Sequence, residues 1–451
     1  MNCLLIFKNL ISYQKNSGLN KRILNIAIPN IISNITIPLL GIVDLSLVGH
    51  LESKVYIGAI ALGSMIFNFI YWGFSFLRLG TSGFTAQSYG KRNLKESFSN
   101  LYRALLVGLI GATVLLILQK PIELLSFWVI NGSQEVEFFA REYFYIRIWA
   151  APATIAIYSV SGWYIGMQNA RVPMAIAITI NLLNIGFNIL FIKVFGMKSD
   201  GVALGTVFAQ YSGLVVSLFF LSKNKKRLRK YLISKDILQL AALKNFFHVN
   251  KDIFIRTMSL VFALSFFTAK SAKYGDTLLA VNTLLLQFFT IYAYIVDGFA
   301  YAGEALGGKY FGANDKQKLK RVTKLLFLWG LLMSVIFTLA YYFGDNLLLK
   351  IFTDNADVIQ SIQPYLFWIY LIPLLTFGAF IWDGIFIGVT ASSSMRNAML
   401  ISTFLVFVPF YFILHHFFHN HGLWAAFMLF MIARVITLSF YAPKAIYNKM
   451  S

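Results

Sequence analysis

Solid apolar stretches of about twenty residues recur along this chain from one end to the other. Each is long enough to cross a hydrocarbon core of roughly 30 Å as an α-helix, in which all backbone hydrogen bonds stay within the segment. Barrel strands would alternate apolar and polar residues, so a membrane β-barrel is excluded. A soluble fold is excluded by charge: only 13% of the 451 residues are charged and 58% are hydrophobic. An ordinary soluble domain carries roughly 25% charged residues, and it needs a polar surface that this composition does not supply. The fold class is therefore an all-α polytopic membrane protein.

Spans can be counted at 23–49, 56–82, 99–119, 140–166, 173–193, 201–221, 250–272, 277–303, 322–343, 361–389, 395–415 and 421–443, giving twelve. Lys and Arg test the count, because cytoplasmic loops are enriched in them. Alternate loops place 27 on one side and 8 on the other, with Arg78, Arg147, Arg256 and Arg434 inside spans completing the 39. Both termini are thus expected in the cytoplasm, at a plasma (inner) membrane. Residues 1–22 read as a cytoplasmic lead-in without a cleavable signal, and 444–451 as a tail. The net charge of +21 follows from this topology, so nucleic acid is not an expected partner. The single cysteine, Cys3, leaves no disulfide framework and no Cys-rich metal site.

The basic stretch Ser222–Lys235 opens a linker over 222–249 and divides two lobes, 23–221 and 250–443. Ile148-Trp-Ala-Ala-Pro152 resembles Ile369-Tyr-Leu-Ile-Pro373, and Gly162-Trp-Tyr-Ile-Gly166 resembles Gly384-Ile-Phe-Ile-Gly388. Gly90 and Gly312 are also 222 residues apart, and Gly201 and Gly422 are 221 apart. Matches at a nearly constant offset indicate six spans repeated in one orientation. Two pseudo-symmetric six-helix lobes around a central cleft suit alternating access.

Ionisable groups within spans mark candidate sites. Asp44 lies roughly 8 Å inside the outer end of the first span, at 1.5 Å per residue. Asn181, Asn184 and Asn188 form one stripe on the fifth span, and Thr206 lies on the sixth. Asp44, Asn188 and Thr206 share one depth, so the first lobe offers proton acceptors or oxygen ligands there. Two structural roles compete: Arg147 could neutralise Asp44, and the amides could be interhelical glue, the better reading for Asn181. The second lobe carries Asp297, Glu304 and Asp383, with Arg256 near them; a packing network of Arg256, Asp297 and Asp383 competes with a second proton or substrate site. Four histidines, His415, His416, His419 and His421, read as an interfacial turn rather than a metal site.

Several long motifs resemble one family. Leu40-Gly-Ile-Val-Asp-Leu-Ser-Leu-Val-Gly-His50 and Phe76-Leu-Arg-Leu-Gly-Thr-Ser-Gly-Phe-Thr-Ala-Gln-Ser-Tyr-Gly90 resemble the first- and second-helix motifs of the multidrug and toxic compound extrusion (MATE) transporters. Asp297 to Gly312 and Trp382-Asp-Gly-Ile-Phe-Ile-Gly388 look like its DinF-like branch. The resemblance implies efflux of organic, often cationic or amphipathic compounds, driven by inward H+ or Na+. It makes Asp44 the coupling carboxylate and Asn184 and Thr206 its polar partners. Asn188 departs from the pattern, since many relatives carry a second Asp there. One carboxylate among amides suits a proton better than a Na+ cage of hard oxygens, so H+ is expected first and Na+ second.

The expected function is a secondary antiporter with no cofactor beyond its coupling ion, acting on small organic substrates as a monomer in lipid. The alternative is a lipid-linked oligosaccharide flippase of related fold, which would need a cleft lined by cationic residues. The in-span arginines are scattered in sequence and speak against it. No HExxH, GxSxG or Walker motif supports an enzyme or an ATP-driven pump.

Overall fold

In the computed structural model of the protein, the structure describes residues 17–49, 53–130, 132–232 and 239–450, with 17, 37–48, 232 and 346 described by backbone alone. No β-strand occurs among them. The first half contains α1 (Ser17–Gly49), α2 (Lys54–Phe74), α3 (Phe76–Gly90), α4 (Leu94–Ile117), α5 (Gln119–Val129), α6 (Gln134–Arg147), α7 (Ala151–Gly166), α8 (Arg171–Ile189) and α9 (Ser199–Ser222). A short basic helix, α10 (Lys225–Leu232), leads to the second half. That half contains α11 (Leu240–Ser271), α12 (Asp276–Gly312), α13 (Lys316–Phe352), α14 (Ala356–Ile362), α15 (Leu366–Gly388), α16 (Ser392–Leu400) and α17 (Val408–Ala445).

Nine helical stretches among the described residues are long and apolar enough to cross a membrane. The last, Ser392–Lys449, is broken at His419, whose φ of 46° and ψ of −120° leave the helical region. The predicted spans 23–49 and 140–166 are helical as α1 and as α6 with α7, which meet in a single 3-10 turn ahead of Pro152.

The helices outrun several predicted spans. The second span, read as 56–82, continues to Gly90, and the eighth, read as 277–303, continues to Gly312. The seventh begins at Leu240, inside the stretch read as linker. An apolar run measures bilayer thickness, whereas a helix ends where its terminal backbone groups find other partners.

The internal repeat is visible in the backbone. Arg92 and Gln168 take left-handed conformations in the first half, and Asn314 and Thr390 take them 222 residues later. The N-caps repeat as well: Asn93 accepts the Glu96 N–H at 3.0 Å, and Asp315 accepts the Lys318 N–H at 3.0 Å. Helix packing follows the same offset. A Cβ on Gly162 would strike the carbonyl oxygen of Arg78, and one on Gly384 would strike that of Ala300. Gly166 meets Ser82 in the same way, and Gly388 meets Glu304. Small residues four apart thus let α7 lie directly on α3, and α15 on α12.

The two halves join where α12 packs against α1 and α3. At the end bearing the basic turns, Gly90 rests on the backbone of Lys309, and Gly312 on that of Gln87. Gln87 Nε2 donates to Thr390 Oγ1 at 2.9 Å, and Lys309 Nζ donates to Gln168 Oε1 at 3.2 Å.

Candidate functional site

The amide stripe on α8 folds into a relay. Asn188 Nδ2 donates to Asn184 Oδ1 at 3.0 Å, Asn184 Nδ2 donates to Thr206 Oγ1 at 3.1 Å, and the Thr206 hydroxyl donates to the Val202 carbonyl at 3.0 Å. Both asparagines are buried. Gly205 lets α9 approach this close, because a Cβ there would strike Asn188 Oδ1. Asn181 instead donates to Thr36 Oγ1 at 2.6 Å, tying α8 to α1, which is the glue role expected of it. Asp44 lies on the helical backbone of α1, and its side chain is outside the described residues.

Thr206 and Asn181 also line a cavity of about 440 Å3 enclosed mainly by helices of the first half. The expected role of Arg147 in neutralising Asp44 falls outside the described residues. Its described partners are hydroxyls: Nη1 donates to Ser64 Oγ at 3.0 Å and to the Tyr143 hydroxyl. Its guanidinium also lies 5.1 Å from the Phe67 ring centre and 5.4 Å from that of Tyr143.

In the second half, Arg256 and Arg434 both bond Asp383 Oδ2, Arg434 at 2.5 Å. The predicted network is therefore present in Arg256 and Asp383, with Arg434 as a second arginine on Asp383 and no direct ion pair from Asp297 among the described residues. Asp297 stays within electrostatic reach of Arg78, Arg256 and Arg434 without an ion pair among the described residues. Glu304 belongs elsewhere: it faces Arg78 of the first half at 3.8 Å, with only 1% of its side chain exposed. The four in-span arginines, scattered in sequence, thus gather at two places, Arg78 and Arg147 on the cavity and Arg256 and Arg434 on Asp383.

Sequence reasoning missed Arg78 as a site residue, because its pairing with Glu304 arises only from the packing of α3 against α12. The histidines form a kink rather than a loop: the Tyr274 hydroxyl and His415 Nδ1 are 2.9 Å apart, and Trp368 Nε1 donates to His421 Nδ1 at 3.1 Å. No group of three potential ligands for a metal ion occurs among the described residues.

The family model MatE matches twice, at residues 29–190 and 253–413, once in each half. The chain is 32% identical over 442 residues to the DNA damage-inducible protein F of Escherichia coli (strain K12), covering 96% of this chain and 94% of that one. It is 22% identical to the chloroplastic Protein DETOXIFICATION 44 of Arabidopsis thaliana, across 92% of this chain and 80% of the relative. Its fold matches a structure described as the outward-facing conformation of a multidrug resistance MATE family transporter of the MOP superfamily. That match has a TM-score of 0.85 at 19% identity, over 95% of this chain and 96% of the other. Family model, relative and fold agree with the motifs read from the sequence, and the chain belongs to the MATE family of multidrug efflux transporters.

Proposed function

We propose that the protein is a secondary antiporter that exports amphipathic organic compounds in exchange for H+, by alternating access between its two lobes. The observation that carries this reading is the relay from Asn188 through Asn184 to Thr206, which ends in the cavity wall. A proton taken up beside such a relay changes which hydrogen bonds it can make, and so changes the wall that a bound compound touches. Asp44 is assigned as the proton carrier. A carboxylate in an apolar lobe can load a proton on one side and release it on the other. The protein then works as a monomer of twelve spans in the plasma membrane, with both termini in the cytoplasm.

The test uses full-length protein in liposomes, with a pH gradient or a Na+ gradient imposed separately while transport of a fluorescent amphipath is followed. The pH gradient alone is expected to drive transport. Asp44→Asn should keep the fold and some substrate binding while losing gradient-driven movement. Transport driven by Na+ alone would replace the proton. Retained pH-driven transport in Asp44→Asn would move coupling to Asp297, Glu304 and Asp383.

A further inference from the structure

A dense block of positive charge lies apart from the cavity and from the buried acids. Between Ser222 and Gln239 the sequence carries seven Lys and Arg against one acid, Asp236, so the stretch keeps a net charge of +6 whichever cation Asp236 faces. Five of the seven, Lys225, Lys226, Arg227, Arg229 and Lys230, stand on α10. The helix sorts them by face. Leu228 and Tyr231, three apart, share one side, and the cations fan round the rest. Leu228 and Tyr231 are half-buried, whereas all five cations are exposed, and none of the five meets a carboxylate among the described residues.

The apolar side is already taken by the protein. Tyr231 stacks on Phe98 with ring centres 5.5 Å apart, and the Tyr102 hydroxyl donates to the Leu228 carbonyl at 2.8 Å, which holds α10 against α4. An amphipathic helix that inserts into a bilayer needs its apolar face free. Here only the charged face is on offer, and it is held on a fixed support. The end of α9 sets its depth. Val215, Leu218 and Phe219 are exposed apolar residues there, facing outward where a spanning helix meets lipid. Lys223 turns back over Phe219 and Phe220, with its Nζ 5.0 Å from each ring centre, as a lysine does at the edge of a hydrocarbon layer. α10 begins two residues later.

We propose that the charged face of α10 is a docking surface for anionic phospholipid headgroups, in the leaflet at the end of the molecule that bears the basic turns. It binds them by charge and not by insertion. The second half has exposed cations at that end too, but they are spent differently: in α13, Lys318 pairs with Asp315 at 2.6 Å, and Lys320 lies over the Tyr447 ring.

The test mixes purified full-length protein in detergent micelles with equal amounts of phosphatidylglycerol and phosphatidylcholine of the same acyl chains. The protein is then recovered and its bound lipids are counted by mass spectrometry. Phosphatidylglycerol should be retained at least about fivefold over phosphatidylcholine, the effect of one Lys or Arg at an anionic headgroup. The preference should shrink as NaCl rises from about 0.05 to 0.5 M, because screening weakens exposed charges. Changing all five α10 cations to Gln should bring it below about twofold, whereas Lys320→Gln with Arg321→Gln on α13 should leave it within about 1.5-fold of the parent. Should the fivefold variant fold poorly, Lys226→Gln with Lys230→Gln, on the side farthest from Leu228, decides, with about half the loss. Equal retention of the two lipids overturns the proposal and leaves the face to a soluble acidic partner. An equal loss in the α13 variant also overturns it, since the preference would then belong to basic charge in general. Excess inorganic phosphate at constant ionic strength should not remove the preference; if it does, the face is a discrete phosphate site and not a lipid surface.

Discussion

Set against each other on the 222-residue offset, the two halves share a backbone and differ in what occupies its interior. In the second half, Asp383 is clamped between Arg256 and Arg434. The corresponding residue of the first half is Ser161, which lines the cavity. Arg78 stands in the first half where the second has Ala300, and Glu304 stands in the second where the first has Ser82. The glycines that seat α7 on α3 and α15 on α12 are the same in both. Framework and charge are thus set by separate residues. One half closes Asp383 between two arginines, whereas in the other Arg78 and Arg147 line a cavity, with Arg78 paired to Glu304 across the seam.

The largest expected effect breaks that contrast at its centre. Asp383→Asn removes the only negative partner that Arg256 and Arg434 contact directly among the described residues, leaving two buried cations together. Removing one member of a buried ion pair costs about 3–5 kcal/mol, so thermal unfolding in detergent should show a steep drop. Ser161→Ala, at the matching position, should stay within about 0.5 kcal/mol of the parent. Comparable losses at both positions would mean that the halves do not differ in this way.

A second comparison tests the shared framework. Gly162→Ala and Gly384→Ala each push a methyl group into a facing carbonyl oxygen. Each should destabilise by about 1–3 kcal/mol, as overpacking does, and by similar amounts. A cost confined to one of them would show that only that half depends on the close helix pair.

The smallest effect concerns the two N-caps and gives a sign with pH. Asn93→Ala and Asp315→Ala should each cost about 1 kcal/mol at pH 7. The carboxyl of Asp315 is held below its ordinary range, first by the hydrogen bond from the Lys318 side chain and then by that from the Lys318 backbone N–H. Its folded-state pKa is depressed, so its contribution is complete above the unfolded value of about 3.9 and is lost as pH falls through the lower folded value. The gap between Asp315→Ala and parent should therefore shrink in acid, while that for Asn93→Ala, whose amide does not titrate there, should not.

Much of this was legible in the sequence because bilayers impose length. Apolar runs located the helices, and the glycine and proline matches located the repeat. Asn181, Asn184 and Asn188 were placed on one face by spacing alone, and the hydrogen bond from Asn184 to Thr206 joins two of the residues expected together. What stayed hidden was pairing between distant segments. Arg434 meets Asp383 across 51 residues, and Arg78 meets Glu304 across the seam. No local pattern reports which of several buried charges faces which. Helix ends were misjudged for a different reason: Gly90 and Gly312 close helices that continue beyond the apolar run, where capping geometry and not hydropathy decides.

The contact at Gly90 and Gly312 has a further meaning. Gly90 touches residue 309 and Gly312 touches residue 87, and 309 is the counterpart of 87. Gln87 reaches Thr390 while Lys309 reaches Gln168, again counterparts. Reciprocity of this kind is the signature of an isologous interface between identical subunits, here drawn within one polypeptide. The two halves thus meet through equivalent surfaces, but a single chain is free of the constraint that a homodimer imposes. In a symmetric pair, a substitution at the position of Arg78 or of Glu304 appears twice and must tolerate its own copy across the axis. In one chain Arg78 can face Glu304 with Ala300 and Ser82 at the mirrored positions, and a symmetric scaffold acquires a charged side and a neutral one.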